Sequence, residues 1–415
     1  MTTRVAQVST STLAEICELI VDCEHKTAAK EKDGYPSIRT PNIGRGYIIL
    51  NGVNRVSEET YKEWTSRAVP APGDLMLARE APVGNVAIIP PGLKVCLGQR
   101  TVLIRPDRSR VNPRYLMYFL LSNQIQAKLQ SLTAGATVSH LNMRDIRSLE
   151  IPELPSRSVQ LKIASILSAY DDLIENNLRR INILEEMAQL LYREWFVKFR
   201  FPGHEKVRMV DSPLGKIPEG WEFRNLGSLC ELRKDKYRDQ HATLPLLNMA
   251  RMLQCTLAVG EMGRPEELAT SRILFEKDDI LFGSIRIYLH KVALAPCTGV
   301  TNISVFVIRP VAEELKAFLT VLLCSAETIR WADQHSTGTK MPVIKWEILK
   351  KMPVLKPGRA LLESFEALIQ PMLQTIQISC LRNRILRQTR DLLLPKLISG
   401  ELDISELDIK VREDL

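Results

Sequence analysis

The stretch QLKIASILSAYDDLIENNLRRINILEEMAQLLYREWFVKF, residues 160–199, has the apolar spacing of a long amphipathic helix. Its apolar residues recur mostly in steps of three and four, which places them on one face of the helix. This stripe consists of Ile163, Ile166, Tyr170, Leu173, Ile181, Leu184, Ala188, Leu191 and Trp195. Two four-residue steps adjoin between Asn177 and Ile181 and indicate a stutter in the heptad pattern. Asn177 lies at a core position, where asparagine is known to set the register of paired helices.

A second long helix is predicted near the carboxyl end, where the same spacing returns after residue 358. Its stripe consists of Leu362, Phe365, Ile369, Met372, Ile376, Ile385, Thr389 and Leu392. Pro371 is expected to kink this helix or to start a fresh one, and Pro395 is expected to end it. Each narrow apolar stripe can be removed from water by packing against the other stripe, so the two helices are predicted to pair. The alternative is that each helix packs only on its own domain.

The remainder of the chain carries matching motifs about 200 residues apart. The matches pair Leu13–Leu19 with Leu226–Leu232, Gly73–Leu77 with Asp278–Phe282, Thr133-Ala134-Gly135 with Ser336-Thr337-Gly338, and Ile151-Pro152 with Met352-Pro353. In each half, short β-rich runs end in Arg-Pro, at residues 105–106 and 309–310, and lead to an amphipathic helix, predicted over 113–131 and 313–335. The repeat therefore predicts a duplicated domain of the α+β class.

The segment between the halves is polar, with Pro and Gly punctuation and no periodicity, which is typical of a linker. The predicted organisation is a first domain over 1–155, a central long helix over 156–200, a linker over 201–216, a second domain over 217–357, a carboxyl-terminal long helix over 358–400 and a tail over 401–415.

The composition indicates a globular protein, and its net charge is compatible with a polyanionic partner. Hydrophobic residues make up 45% and charged residues 25% of the 415 residues, which argues against a disordered or fibrous chain. Lys and Arg number 56 against 48 Asp and Glu, a net charge of +8. No basic tail is present, so a nucleic-acid surface must be formed by folding. The eight cysteines lack CxxC or zinc-finger spacing, and no stretch predicts a membrane span, so we expect reduced thiols and a cytoplasmic protein.

The sequence lacks the motifs of the common catalytic sites. GxxxxGK[ST], GxGxxG and HExxH are absent. Asn112-Pro113-Arg114-Tyr115 departs from the Asn-Pro-Pro-aromatic signature of amino-methyltransferases and is typical of a helix start. Glu24-His25-Lys26 matches half of a nuclease motif, but the upstream Pro-Asp is missing. No catalytic or metal-ligating residue is therefore assigned, and a binding protein is favoured. A coiled-coil scaffold that does not read DNA and a self-contained methyltransferase or nuclease remain the alternatives.

Several segments resemble the specificity subunits of type I restriction-modification systems. Residues 174–205, IENNLRRINILEEMAQLLYREWFVKFRFPGHE, and 215–222, GKIPEGWE, are similar to the central region of that family, and 392–404, LLLPKLISGELDI, to the end of its second helix. REAPVGNVAI (79–88), GQRTVLIRP (98–106) and TGTKMPVIKWEIL (337–349) are similar to motifs of its target-recognition domains. The second domain departs from the pattern, because Ser284-Ile285-Arg286-Ile287-Tyr288 replaces the APxG stretch.

The resemblance implies a fold and a set of partners. Two α/β target-recognition domains would be joined by two long helices in an antiparallel coiled coil, and each domain would read one half of an interrupted site in double-stranded DNA. The helix pair would set the spacer and dock two methylation subunits, which carry S-adenosylmethionine, and the restriction (translocase and nuclease) subunits would join through them. This chain itself would bind no cofactor and no membrane, and it would not be an enzyme.

Base edges are read by Arg, Lys, Asn and Gln, and phosphates are held by Arg, Lys, hydroxyls and backbone amides. In the first domain the residues expected to contact DNA are Lys26, Lys30, Lys32, Arg39, Arg45, Arg79, Gln99, Arg100, Thr137, Ser139 and His140. In the second they are Lys234, Lys236, Arg238, Arg251, Arg286, Asn302, Thr339 and Lys340. For Arg79 an alternative of equal weight is a brace, paired with Glu80 or Asp74.

The residues expected to form the coiled coil or to dock partners lie on both long helices. They are Tyr170, Leu173, Asn177, Ile181, Leu184, Leu191, Trp195, Ile376, Ile385, Thr389 and Leu392. Trp195 and Phe196 are favoured as core residues over docking residues. Four arginines of the second helix, Arg382, Arg384, Arg387 and Arg390, are expected to meet acidic residues of the first helix, such as Glu175, Glu185 and Glu186, to meet acidic residues of the methylation subunit, or to be exposed.

Overall fold

The computed structural model describes residues 10–133, 140–212, 215–237, 244–264, 266 and 272–411. The chain divides into two compact units, the first formed by Met1–Asp172 with Gln388–Leu415 and the second by Leu173–Arg387. Both divisions fall inside the long helices, so each unit contains a segment of both. No helix among the described residues has the length and hydropathy needed to cross a membrane.

The first unit contains nine strands and four short α-helices among its described residues. The strands are β1 (Ser11–Thr12), β2 (Cys17–Asp22), β3 (Tyr35–Ile38), β4 (Asn54–Val56), β5 (Leu75–Ala78), β6 (Val86–Ile88), β7 (Cys96–Leu97), β8 (Thr101–Pro106) and β9 (Glu150–Ile151). The helices are α1 (Glu58–Trp64), α2 (Pro113–Leu121), α3 (Asn123–Ser131) and α4 (Met143–Arg147). The first long helix, α5 (Arg157–Tyr192), begins in this unit and is extended by a π-helical turn over Arg193–Val197.

The second unit repeats this plan. Its described strands are β10 (Met209–Ser212), β11 (Gly215–Pro218), β12 (Glu222–Asn225), β13 (Cys230–Arg233), β14 (Lys236–Tyr237), β15 (Arg272–Phe275), β16 (Ile280–Gly283), β17 (Val292–Leu294), β18 (Gly299–Thr301), β19 (Val305–Pro310) and β20 (Pro353–Lys356). Its short helices are α6 (Lys316–Leu323), α7 (Ala326–Gln334) and α8 (Trp346–Leu349), followed by the second long helix, α9 (Arg359–Ser399).

Each unit contains a four-stranded antiparallel sheet with the same strand order. The order is β2-β8-β5-β6 in the first unit and β13-β19-β16-β17 in the second. The register also repeats, since Leu75 pairs with Ile104 and Ile280 pairs with Ile308. A three-stranded sheet accompanies each, in the orders β4-β3-β7 and β14-β15-β18. The predicted α+β class and the duplication are confirmed.

A buried ion pair explains the repeated Arg-Pro motif. Asp74 accepts two hydrogen bonds from Arg105, at 2.9 and 2.7 Å, and Asp279 accepts two from Arg309, at 2.7 and 2.8 Å. Both carboxylates are buried, and the two-pronged geometry matches the guanidinium to the carboxylate. Each pair joins the turn before one central strand to the end of its neighbour. These residues are therefore part of the sheet framework in both units.

The two predicted amphipathic helices are each divided in two, which corrects the sequence-based boundaries. Residues 113–131 form α2 and α3, and residues 313–335 contain a short 3-10 turn, α6 and α7. Ser122 and Ser325 have extended backbone conformations at the two breaks. Ser325 also accepts a hydrogen bond from the amide of Thr328, so it begins a new helix with its own cap.

The second long helix is continuous from Arg359 to Ser399, so no fresh helix starts at Pro371, and the expected end at Pro395 is wrong. Pro371 is exposed, as is Ala367 one turn before it. Water can therefore satisfy the carbonyl that the proline leaves without an amide partner. In the second unit the two long helices run antiparallel, because Asn177 bonds Asn383 while Trp195 lies 5.6 Å from Phe365 between ring centroids.

Candidate nucleic-acid interface

In the first unit, four of the residues expected to contact DNA line one cleft of about 60 Å³. These residues are Lys26, Lys30, Arg39 and Gln99. The cleft lies beside β3, β4 and α1, which contribute Ser37, Asn54, Val56 and Trp64. Residues distant in sequence are thus brought together by the pairing of β3 with β4 and β7.

The polar groups of this cleft are only partly used within the chain. Gln99 donates to the hydroxyl of Thr27 at 2.8 Å, and Lys26 lies 3.6 Å from Glu63 in an exposed pair that contributes little stability. The Nε atom of Arg39 is buried and has no hydrogen-bond partner among the described residues. An unpaired buried donor is costly, and a bound anion would satisfy it.

A second group of expected residues lies where two loops meet at the end of the four-stranded sheet. In the first unit the amide of Arg79 donates to the carbonyl of Arg100 at 2.9 Å, and the amide of Leu141 donates to the carbonyl of Arg79 at 3.1 Å. His140 forms a backbone bridge with Glu80. Arg79, Arg100 and His140 are therefore neighbours, whereas Thr137 and Ser139 lie outside the described residues.

The second unit builds the same loop junction with different side chains. The amide of Ser284 donates to the carbonyl of Ser304 at 2.9 Å, and that of Ile344 donates to the carbonyl of Ser284 at 3.0 Å. These bonds correspond to those of Arg79 in the first unit. The amide of Arg286 donates to the carbonyl of Pro342 at 2.7 Å, which places Arg286 beside the loop that contains Thr339 and Lys340.

The side chains of this second junction are available to a partner. Arg286, Thr339 and Lys340 are exposed, and Arg286 and Lys340 form no ion pair with any residue in the described part of the chain. Asn302 accepts the amide of Ser304 at 3.2 Å and stabilises the turn before β19. The junction therefore presents two free cations and a hydroxyl on a framework fixed by backbone hydrogen bonds.

Arg79 is a brace, but its partners are not the predicted ones. Its Nη1 lies 2.6 Å from Asp22, its Nε donates to the carbonyl of Leu141 at 2.8 Å, and its side chain is only 13% exposed. Asp74 and Arg79 flank opposite ends of β5 and cannot meet, since a strand rises by about 3.3 Å per residue. Glu80 is instead paired with Arg100.

The other expected residues are scattered. Arg45 donates to the carbonyl of Leu121 at 2.9 Å, and Arg251 to that of Glu261 at 3.3 Å. Lys32 and Lys236 are exposed, and Lys234 lines a separate cleft that also contains Glu231, Glu347 and Lys350. Arg238 lies outside the described residues.

The sequence interpretation missed several residues at these surfaces. Ser37, Asn54 and Trp64 line the first cleft. Tyr47 and Tyr288 are exposed aromatic residues close in sequence to Arg45 and Arg286. Tyr47 lies at the end of residues 26–47, a stretch of sequence that hardly matches the second half, and this divergence was the signal that could have identified it.

The core stripe of the first long helix is an unbroken heptad, so the predicted stutter is wrong. Its positions fall in regular steps of four and three at Ile163, Leu167, Tyr170, Ile174, Asn177, Ile181, Leu184, Ala188, Leu191 and Trp195. Leu167 and Ile174 are buried, whereas Leu173, which was assigned to the stripe, is 52% exposed. The prediction used Ile166 and Leu173, whereas their neighbours Leu167 and Ile174 occupy the core positions, and this choice produced the apparent break in the heptad pattern.

On the second long helix, Ile385 and Leu392 are 61% and 69% exposed and are likewise outside the core stripe. Thr389 is half-buried, and Ile376 is buried as expected. The core side of this helix instead carries Cys380, Asn383 and Leu394. Because Asn383 at a core position is polar, a search for regularly spaced apolar residues assigned the core to Ile385 and Leu392 instead.

The polar residues of the helices pair differently from the prediction. Within the first unit, Arg390 bonds Asp171 at 2.5 Å, and Asp171 also accepts the hydroxyl of Tyr118 at 2.5 Å. Burial and the negative charge of Asp171 raise the pKa of Tyr118. Glu175 pairs with Arg179, and Arg382 and Arg384 are exposed. Arg390 thus meets an acidic residue of the first long helix as expected, whereas none of the four arginines pairs with Glu175, Glu185 or Glu186 among the described residues.

A second apolar stripe on α5 and its π-helical extension faces away from the core of the second unit. Ile183, Met187, Leu190 and Val197 recur in steps of four, three and seven, and all four are substantially exposed. Trp195 and Phe196, by contrast, are buried against Phe365. Among the described residues no three His, Cys, Asp or Glu side chains are grouped as metal ligands.

Comparison with known proteins finds similarity to type I restriction enzyme specificity subunits. The type I restriction modification DNA specificity domain matches residues 7–186. The type I restriction enzyme MjaIX specificity subunit of Methanocaldococcus jannaschii is 28% identical over 375 residues, covering 87% of this chain and 85% of the relative. The HindI specificity subunit of Haemophilus influenzae is 21% identical over 369 residues, covering 72% of this chain and 80% of the relative.

The fold is also found in a solved structure. The crystal structure of the type I restriction-modification system S subunit from M. genitalium superposes with a TM-score of 0.59 at 17% identity, covering 94% of this chain and 96% of that chain. Its matching domain and the relatives that span most of its length make this chain similar to the specificity subunits of type I restriction-modification systems.

Proposed function

We propose that this chain reads one interrupted sequence in double-stranded DNA, with each unit recognising one half of the site. The observation that carries the proposal is the loop junction that both units build with the same backbone hydrogen bonds and different side chains. A shared framework with divergent side chains is what two half-sites of different sequence require. Similarity to type I specificity subunits supports a role for this chain in DNA sequence recognition, with catalysis carried out by other subunits.

The chemistry of the two surfaces supports contact with both phosphates and bases. Lys26, Lys30 and Arg39 supply positive charge to the first cleft, where Gln99 and Asn54 offer amide groups that can read base edges. Arg286 and Lys340 supply charge at the junction of the second unit. Arginine bonds guanine with two parallel hydrogen bonds, and Asn or Gln does the same with adenine.

The helix pair would set the spacer and dock two methylation subunits. The exposed stripe Ile183, Met187, Leu190 and Val197 supports docking, because exposed apolar residues at heptad spacing are typical of a helix that packs on a partner. In this proposal S-adenosylmethionine is bound by the methylation subunits, restriction subunits join the complex through them, and this chain binds no cofactor.

Equilibrium binding of the purified complex to DNA tests the proposal. The chain with its methylation partner is expected to bind its own motif at least 10³-fold more tightly than a scrambled duplex near 0.15 M salt. The affinity should also fall steeply with salt, because phosphate contacts release counterions. Equal affinity for both duplexes, with the partner still bound, would instead support a scaffold that does not read DNA.

A further inference from the structure

Glu185 joins the first long helix to a loop of the second unit. Its Oε1 atom accepts three hydrogen bonds, from the hydroxyl of Thr256 at 2.6 Å and from the amides of Leu257 and Ala258 at 2.8 and 3.2 Å. Leu257 and Ala258 are buried, so their amides have no access to bulk water. Burial raises the pKa of Glu185, while the three donors act in the opposite direction.

The loop held by Glu185 is bonded in turn to the segment that carries Arg286. The amide of Cys255 donates to the carbonyl of His290 at 2.8 Å, and the amide of Leu294 donates to the carbonyl of Leu257 at 2.9 Å. Nε2 of His290 donates to the carbonyl of Cys324 at 2.9 Å. Gln189, one helical turn after Glu185, donates to the same carbonyl at 3.5 Å.

Arg286 and His290 are the two ends of one short turn. A 3-10 helix occupies Ile287–Leu289, and both flanking residues have left-handed backbone angles, with φ of 51° for Arg286 and 48° for His290. Non-glycine residues adopt this conformation only when their surroundings hold them in it. Here the amide of Arg286 is bonded to Pro342, and the carbonyl of His290 is bonded to Cys255.

We propose that Glu185 is a positioning residue for DNA reading by the second unit, acting through loop 255–258 and His290 on the turn that presents Arg286. The inference rests on the proposed function. The carboxylate suits this role better than an apolar side chain, because removing the acceptor leaves the buried amide of Leu257 unpaired and leaves the amide of Ala258 with only its bond to the hydroxyl of Thr256. The loop then loses its attachment to the helix, and the turn that holds Arg286 loses support on one side.

The location of Glu185 also links DNA reading to partner binding. Ile183 and Met187, which lie two residues to either side, belong to the exposed apolar stripe of the same helix. A subunit docked on that stripe would stiffen the helix that holds the loop. The structure thus connects, through directly bonded residues, the surface proposed for the methylation subunit with the turn proposed to read bases.

The test measures half-site discrimination by the full-length chain in complex with its methylation subunit. For each half-site, the loss of affinity caused by a single base change is measured and is called the penalty of that half-site. The Arg286→Ala variant identifies the half-site that the second unit reads, because it should lower the penalty there. Glu185→Ala is expected to lower affinity for the intact site about tenfold or more and to reduce the penalty in that half only. Glu185→Gln, which keeps an acceptor oxygen, should recover most of the loss, and Glu186→Ala, an exposed neighbour, should match the wild type.

Thr256→Val provides a second variant in case Glu185→Ala prevents assembly of the complex. It removes one donor to Glu185 and is expected to cause a smaller loss in the same half-site. The inference is overturned if both variants keep the wild-type affinity and penalties, or if both half-site penalties fall equally. A wild-type complex that discriminates neither half-site would instead overturn the proposed function.

Discussion

The side-chain amide of Asn177 donates to the side-chain oxygen of Asn383 at 2.8 Å, across the two long helices of the second unit. Asn383 is buried, and its own amide donates to the carbonyl of Ile174 at 3.4 Å. A polar pair between apolar core positions stabilises one alignment of two helices, because any shift leaves both amides unpaired. We therefore expect this pair to fix the helix register.

Replacing one member of this pair should destabilise the protein more than replacing both. Asn383→Leu leaves the amide of Asn177 without its partner and should lower the free energy of unfolding by about 1 to 2 kcal/mol. The double variant Asn177→Leu/Asn383→Leu should recover at least half of that loss. Urea unfolding midpoints measure the effect, and Asn176→Leu, at an exposed position, is the control. Additive losses in the double variant would show that the two amides do not interact.

The cleft of the first unit should contribute to DNA affinity through Arg39. Arg39→Ala is expected to cost about 1 to 3 kcal/mol of binding free energy, because Arg39 lines the cleft that is proposed to contact DNA. Lys30→Ala should weaken binding to all sequences and lower the salt slope by about 1. Titration of a fluorescent duplex at several salt concentrations gives both values. Lys62→Ala, an exposed pair with Glu58 on α1, is the matched control, and losses equal to that control would remove the cleft from the interface.

Substitution of Arg79 should mainly lower the stability of the chain, whereas substitution of Arg286 should mainly lower its affinity for DNA. Arg79→Ala breaks bonds to Asp22 and to the carbonyl of Leu141 and should cost about 2 to 3 kcal/mol of stability. Arg286→Ala should leave the urea midpoint unchanged and weaken DNA binding by about 1 to 3 kcal/mol. The opposite pattern, with Arg286 needed for folding and Arg79 dispensable, would contradict the assigned roles.

The exposed stripe on the first long helix predicts the effect of a charge on assembly. Met187→Asp should reduce affinity for the methylation subunit at least tenfold, because a carboxylate would be buried in an apolar interface. The melting temperature of the chain should stay unchanged, since Met187 is exposed in the unbound chain. Co-purification and calorimetry test this, with Glu186→Ala as the neighbouring control. Normal assembly by Met187→Asp would place the docking surface elsewhere.

The cysteines should differ in reactivity toward iodoacetamide at pH 8. Cys255 is exposed, whereas burial raises the pKa of Cys96 to about 11 and that of Cys230 to about 12. A raised pKa lowers the fraction of reactive thiolate, so Cys255 should be alkylated first. Mass spectrometry at successive times measures the order, and denatured protein provides the reference in which all thiols react. Equal rates for Cys230 and Cys255 in the folded chain would show that the unit opens more readily than its packing implies.

Local patterns were sufficient to predict much of the architecture. The repeated motifs predicted the duplicated α+β units, and heptad spacing predicted both long helices. Both patterns could be used because they involve residues that are close in sequence. The details of the helix core were not predictable in the same way. From apolar spacing, Ile385, Thr389 and Leu392 were predicted to form the core side of α9. In the structure that side instead carries Asn383, Arg387 and Arg390. Polar core residues of this kind produce no periodic apolar signal in the sequence.

The candidate interface was predictable in composition but not in geometry. Lys26, Arg39 and Gln99 were chosen as residue types that contact DNA, and only the pairing of β3 with β4 and β7 brings them to one cleft. Arg79 was assigned equally to contact and to bracing, because its partner Asp22 lies 57 residues away. Contacts of this kind depend on tertiary pairing, which a single sequence does not reveal.

Mapping methylated bases across the genome of cells that contain this chain and its methylation partner tests the central claim most directly. We predict one interrupted motif, methylated only when the chain is present, in which Arg39→Ala relaxes one half and Arg286→Ala relaxes the other. A methylation pattern that is identical with and without the chain, or a single uninterrupted motif, would contradict the account.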